Sequence, residues 1–254
     1  MRIFLVRHGE SEANVNKSIL KERPDHEVNL SPLGVEQAKV CGAYLNVAIQ
    51  GLMEQAEDEN VANRHSWRIW HSPYARAAQT AKLIKERVDV HDMHEHFLLG
   101  EQQFGLFDGL HEEELKKLYP AEFEFHEKHK NVEGRFWSRM PLGESRFDVA
   151  KRVHQAFGTF HRDADRHGVE NLIIVCHGVV IRAFIMAWCH KGIEWIEKEP
   201  NPENCAIRLI SGGEDKGYLN YPIPMRNRNP DSVGKWDLTD RERALWPFKE
   251  NLKK

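Results

Sequence analysis

The chain contains no run of about 18 apolar residues, so nothing in it reads as a membrane-spanning helix. Its charges nearly cancel: 36 Lys and Arg against 39 Asp and Glu leave a formal net charge of −3. That balance excludes the one-signed field expected of a nucleic-acid binder or of a protein held on an anionic membrane. Cysteine is scarce, at four in 254 residues. Cys41, Cys176, Cys189 and Cys205 fall at no metal-ligand spacing and sit in apolar or helical contexts. They read as reduced, mostly buried thiols of a cytoplasmic protein. A glycine-rich loop ending in Lys-Ser or Lys-Thr is missing, which removes the common nucleotide cradle. Met1–Phe4 runs directly into a strand, unlike the start of a cleaved leader peptide. Repeats, linkers and low-complexity blocks are absent.

What the chain does have is apolar patterning, at 41% apolar residues, arranged as strands alternating with helices. Ile3–Val6 and Leu172–Val175 are short, unalternating apolar runs, the pattern of central parallel strands covered on both faces. Trp67–Trp70 adds a short strand and Cys205–Ile210 a late one. Ser31-Pro32 starts a helix with the stripe Ala38, Cys41, Leu45, Ala48 and Leu52. Ser72-Pro73 repeats that start. Ser145 caps a third helix, with Asp148 three residues on and the stripe Phe147, Ala150, Val153, Phe157 and Phe160. A fourth helix carries Ile181, Phe184, Ile185 and Trp188. Residues 7–30 read as a polar loop turning at Pro24-Asp25, and Glu54–Asn60 as a solvated helix end. The expectation is an α/β fold: a mostly parallel central sheet with helices on both faces, in one domain over residues 1–254. An irregular insertion at about 100–142 lies over the carboxyl edge of the sheet, and about 222–254 form a polar tail.

Two strands end on the same design. Arg7-His8-Gly9-Glu10 follows the first and Cys176-His177-Gly178 follows the second, and ligands of open parallel sheets bind beyond strand carboxyl ends. Each histidine has a plainer reading, as a polar turn residue or a satisfied core imidazole. Two such corners in one chain, one beside an arginine fork, favour an anion site that a nucleophile can attack. Arg76 stands in the first turn of the helix after Trp67–Trp70. A cation is misplaced there against the helix dipole unless an anion shares the spot. Cys176 closes an apolar strand and lacks the glycine-rich loop ending in arginine that a phosphatase thiol needs. His91, His94 and His96 match no familiar metal pattern, so no metal is expected. Lys17, Lys21, Arg135 and Arg139 are candidate substrate contacts or ordinary solvated charge.

Taken together, the motifs resemble the histidine phosphatase (phosphoglycerate-mutase-like) superfamily. The resemblance runs from Arg2 to about Ile207 through Arg7-His8-Gly9-Glu10-Ser11, Asn14, Asn29-Leu30-Ser31, Gly34, Gln37-Ala38, Ser72-Pro73, Arg76 and Gln79-Thr80-Ala81. It continues through Glu101, Phe104-Gly105, Gly143-Glu144-Ser145 and His177-Gly178. Pro24-Asp25-His26, Ser72-Pro73-Tyr74, Glu101–Gly105 and Asn204-Cys205 look most like the plant and fungal broad-range acid phosphatases. The resemblance implies that His8 becomes a phosphohistidine, that Arg7, Arg76 and His177 hold the phosphoryl oxygens with Asn14 assisting, and that Glu101 acts as general acid and base. It implies no metal or other cofactor. Cys176 stands where the family often has serine or threonine, and Asp108 where it often has glutamate.

The expected activity is metal-independent hydrolysis of small phosphate monoesters. A phosphoglycerate mutase using the same phosphohistidine is the alternative, though residues 110–140 lack the arginine pair and proline run associated with mutases. A non-catalytic interaction module on the same fold is the third reading, and retention of the full residue set speaks against it. The expected partner is a small phosphorylated molecule, with neither nucleic acid nor membrane.

Overall fold

The computed structural model describes residues 1–55, 66–90, 92–221 and 223–225. Among these, six strands form one sheet: β1 (Arg2–Arg7), β2 (Trp67–His71), β3 (Asp92–Glu95), β4 (Asn171–Cys176), β5 (Ile207–Ser211) and β6 (Glu214–Tyr218), in the order β3-β2-β4-β1-β5-β6. β3, β2, β4 and β1 run parallel, while β5 is antiparallel to both β1 and β6. The sheet is mostly parallel, as the unalternating apolar runs require.

The helices are α1 (Glu12–Val15), α2 (Pro32–Gln55), α3 (Ala75–Lys85), α4 (Glu112–Leu118), α5 (Pro120–Glu133), α6 (Arg146–His167), α7 (Gly178–Trp188) and α8 (Ile193–Lys198). Side chains alternate across a strand, and the two faces of β1 and β4 feed two cores. Phe4, Val6, Ile173 and Val175 meet Cys41 and Leu45 of α2 and Ala77, Ala81 and Ile84 of α3. Ile3, Leu5, Leu172 and Ile174 meet Val153, Ala156 and Phe160 of α6 and Val180, Ile181 and Phe184 of α7. Among the described residues no helix is long and apolar enough to cross a membrane.

Several local readings are corrected. Residues 7–30 hold α1 and two 3-10 turns rather than an unbroken loop. Residues 100–142 hold α4 and α5, within which charged residues outnumber apolar ones and blur the helical period in the sequence. Ser145 caps α6 as expected, with Asp148 completing the capping box, but Phe147 faces outward at 42% exposure. β6 has an exposed alternate face and Gly217, too little apolar signal to register as a strand. Glu54 and Gln55 end α2, whereas residues 56–60 of the acidic stretch, and nearly all of the tail, lie outside the described residues.

The turn after β1 is pinned to the start of α2 by contact between two backbones. A Cβ on Gly34 would stand 1.9 Å from Glu10 O, and one on Gly9 would stand 2.4 Å from Gly34 O. Ser31 Oγ donates to Glu10 Oε1 at 2.6 Å and accepts from Gly34 N–H, and Glu10 N–H donates to Gln37 Oε1 at 2.7 Å. Gly34→Ala therefore forces the two segments apart. The expected cost is about 1–3 kcal/mol of stability, read as a lower urea midpoint, with a loss of activity exceeding that of Gly51→Ala, where no neighbour lies within 4 Å.

Candidate active site

Adjacent parallel strands β2, β4 and β1 deliver their carboxyl ends side by side. His8 N–H donates to Cys176 O at 3.0 Å and Ser72 N–H donates to Val175 O at 3.0 Å, so the turns after all three strands are fixed relative to one another. His8, His177, Ser72 and Arg76 leave those turns on the same side.

The His8 ring is buried and its two nitrogens are differentiated. Nδ1 lies 2.7 Å from Gly9 O, which fixes its proton as the donor, and Nε2 is left to accept from Arg76 Nε at 3.3 Å. Burial, then the charges of Arg76 and Arg7, hold the His8 pKa well below the ordinary histidine value. The result is a neutral imidazole with an Nε2 lone pair directed at an arginine-lined space. Arg76 is itself positioned by the turn at Asp25: Nη1 donates to Asp25 Oδ1 at 2.8 Å and to its carbonyl at 2.7 Å, and Nη2 donates to Oδ2 at 3.1 Å.

The His177 ring packs edge-on to that of His8, with centroids 5.1 Å apart. Its Nε2 lies 2.7 Å from Ser72 Oγ, and Ser72 Oγ also accepts from Tyr74 N–H at 3.3 Å. Ser72 Oγ already accepts from Tyr74 N–H, so its hydroxyl proton finds a partner by donating to Nε2, which leaves the His177 proton on Nδ1. That Nδ1 is buried without a hydrogen bond, and the nearest carboxylate oxygen, Glu101 Oε2, is 4.0 Å away. Ser72 was expected to cap α3; Tyr74 holds that position instead, and the serine hydroxyl serves the histidine.

Glu101 enters from the segment before α4. Burial raises its pKa, opposed by the Gln102 N–H and by Arg76 and Arg7. Glu101, Arg7, His8, Arg76, Asn14 and Asp108 all line one cavity of about 290 Å³, together with the rings of Phe104 and Phe107. Asn14 sits at its rim, its Oδ1 accepting from Asn204 Nδ2 at 3.2 Å, and the same Asn204 amide donates to His8 O at 3.1 Å. Every expected site residue except His177 lines this cavity, and His177 lies against His8 and Glu101. Asp25, Ser72 and Asn204 stand in the sequence only within family-like motifs or a capping pattern, and their parts in the site rest on tertiary hydrogen bonds that no local pattern shows.

The remaining candidates separate. Burial pushes the Cys176 thiol above its ordinary range, and the side chain faces the core of α6 and α7. Lys17 donates to Leu110 O at 2.6 Å and lines the cavity, Lys21 pairs with Glu114, and Arg139 pairs with Asp148. His94 stands half-exposed on β3 while His96 is buried beside Thr159 Oγ1, and His91 lies outside the described residues.

Fold and site together define an α/β protein with a cationic, histidine-bearing cavity at its strand ends. Residues 3–221 match the model of the histidine phosphatase superfamily (branch 1). The chain is 33% identical over 229 residues to the phosphoglycerate mutase-like protein AT74 of Arabidopsis thaliana, covering 85% of this chain and 66% of that one. It is 24% identical over 293 residues to the broad-range acid phosphatase DET1 of Saccharomyces cerevisiae, covering 82% and 84%. The mycobacterial glucosyl-3-phosphoglycerate phosphatase solved with VO3 superposes with a TM-score of 0.60 at 23% identity, covering 83% of this chain and 90% of that one. The chain belongs to the histidine phosphatase superfamily, and its fold is the phosphoglycerate-mutase-like one.

Proposed function

We propose that this protein hydrolyses phosphate monoesters of small molecules through a phosphohistidine on His8, without a metal, in the cytoplasm, as one catalytic domain. The observation that carries the reading is the pairing of a neutral His8, its Nε2 facing the arginines, with a Glu101 carboxyl whose pKa is raised in the same cavity. His8 Nε2 attacks phosphorus, the ester P–O bond breaks, and the departing oxygen takes its electron pair and the Glu101 proton. The Glu101 carboxylate then removes a proton from water, whose oxygen attacks the phosphohistidine, and the N–P electron pair returns to Nε2. Arg7, Arg76 and His177 Nδ1–H hold the equatorial oxygens, with Asn14 at the rim. The similarity to a broad-range acid phosphatase supports hydrolysis, and four free cysteines support a reducing compartment.

The test is a panel of phosphate esters assayed for released inorganic phosphate, with and without 2,3-bisphosphoglycerate. Hydrolysis independent of the bisphosphate is expected, whereas isomerisation of phosphoglycerate that requires it would make the protein a mutase. Because two arginines supply the positive charge, activity also survives exhaustive chelation. Loss with EDTA that zinc or magnesium restores would overturn the metal-free scheme and redirect attention to the His91–His96 run.

A further inference from the structure

The catalytic cavity holds more than the groups that phosphate needs. Arg7 and Arg76 serve the phosphoryl oxygens, and the residues that remain along the wall must receive the leaving group. Among them are Asp108 and the rings of Phe104 and Phe107.

Three carboxylates stand among the described lining residues, and two of them are engaged. Asp25 gives its oxygens to Arg76 at 2.8 and 3.1 Å. Glu101 lies 4.0 Å from His177 Nδ1, where the proton donor belongs. Asp108 forms no ion pair among the described residues. Lys17 lines the cavity too, but its exposed Nζ donates to Leu110 O at 2.6 Å. Asp108 is half-buried, and burial, then the like charge of Asp25, raise its pKa against the Gly109 N–H, Lys17 and Arg76. Its backbone is anchored: Asp108 N–H donates to Gly105 O at 3.2 Å, and Leu106 N–H donates to Pro141 O at 3.0 Å.

A carboxylate drawn partly out of water without a counter-ion costs energy that an arriving cation returns. Aromatic rings beside it strengthen the same preference, since their negative faces attract cations. A hydroxylated leaving group would give Asp108 a hydrogen bond but leave its charge uncompensated.

We infer that Asp108 is a specificity-determining residue: the preferred substrate is a zwitterionic phosphate ester whose leaving alcohol carries an ammonium group, held by the Asp108 carboxylate beside Phe104 and Phe107. This rests on the phosphatase reading above and names its substrate class.

The test compares aminoethyl phosphate with ethyl and hydroxyethyl phosphate, and aminopropyl phosphate with propyl and hydroxypropyl phosphate, on the whole protein. At one chain length or both, kcat/KM for the amino ester exceeds that of its alkyl and hydroxyalkyl counterparts by about tenfold, since a remote charge-assisted contact adds to transition-state binding. Asp108→Asn keeps the shape and removes the charge, and in it the preference falls to near one. A preference unchanged in Asp108→Asn overturns the inference, because intrinsic leaving-group reactivity is common to both proteins. Hydroxyalkyl esters that match the amino esters overturn it as well, since Asp108 would then read a hydrogen bond and not a charge. Neither result touches hydrolysis itself. If no ester is turned over, the phosphatase reading fails and calorimetry with the non-hydrolysable phosphonates decides the inference separately. Aminoethyl- or aminopropylphosphonate binding several-fold tighter than its alkyl counterpart, with the margin lost in Asp108→Asn, upholds it; equal affinities overturn it.

Discussion

His8→Ala lowers turnover of phosphate esters by at least about 10⁴-fold, the scale on which covalent nucleophiles are missed. Acid-quenched wild-type protein incubated with labelled substrate carries base-stable, acid-labile phosphate on His8, and the variant carries none. The expectation follows from placement: Nε2 of His8 is the unprotonated ring nitrogen facing Arg76, while the neighbouring thiol, Cys176, is buried in the opposite core with its pKa pushed up. His177→Ala removes a donor that presently has no partner. That variant folds, and its apparent affinity for inorganic phosphate falls. Label recovered on Cys176 or on a serine would sink the mechanism.

The second large effect belongs to Glu101. Glu101→Gln keeps the shape but delivers no proton, so kcat on alkyl phosphates drops by about 10²–10⁴-fold, and the drop shrinks on nitrophenyl phosphate, whose leaving group needs little protonation. The pH profile follows from the two shifts. His8 must be neutral, and its lowered pKa extends activity to more acidic pH than an ordinary histidine would allow. Glu101 must be protonated at the start, and its raised pKa carries activity above the ordinary carboxyl range. The product is a bell on the acidic side of neutrality, and Glu101→Gln removes its alkaline limb. Arg76→Gln takes away a charge that holds the His8 pKa down, so its acid limb moves to higher pH. An equal loss on alkyl and nitrophenyl substrates, or a larger one from Asp108→Asn or Glu10→Gln, would mean the acid has been misassigned. Asp108 is the stringent control, because burial and Asp25 raise its pKa in the same cavity.

The residues that were legible in the sequence are those whose neighbours along the chain advertise them. His8 and His177 stand directly after unalternating strands, and Arg76 is a cation in the wrong turn of a helix; each is a local contradiction that a bound anion resolves. Glu101 carried no such mark and was reached through its resemblance to a family, since its raised pKa comes from burial that no local pattern encodes. Ser72 reads as a helix cap because Ser-Pro before a helix is a strong capping pattern, but its hydroxyl bonds the tertiary partner His177 and Tyr74 takes the cap position.

The placement of β1 bears on how the protein is made. Arg2 pairs with Asn171, 169 residues away, and the strand on β1's other side, β5, comes later still. During synthesis the apolar segment bearing His8 therefore waits, with both of its hydrogen-bonding edges open, until most of the chain has left the ribosome. Open apolar edges of this kind invite pairing with other chains, and long-range parallel pairing is slow. Nascent chains stalled before residue 171 should then be held by chaperones or aggregate, and no amino-terminal fragment should form the site. Catalytic competence appears late and at once, when the sheet closes around its first strand.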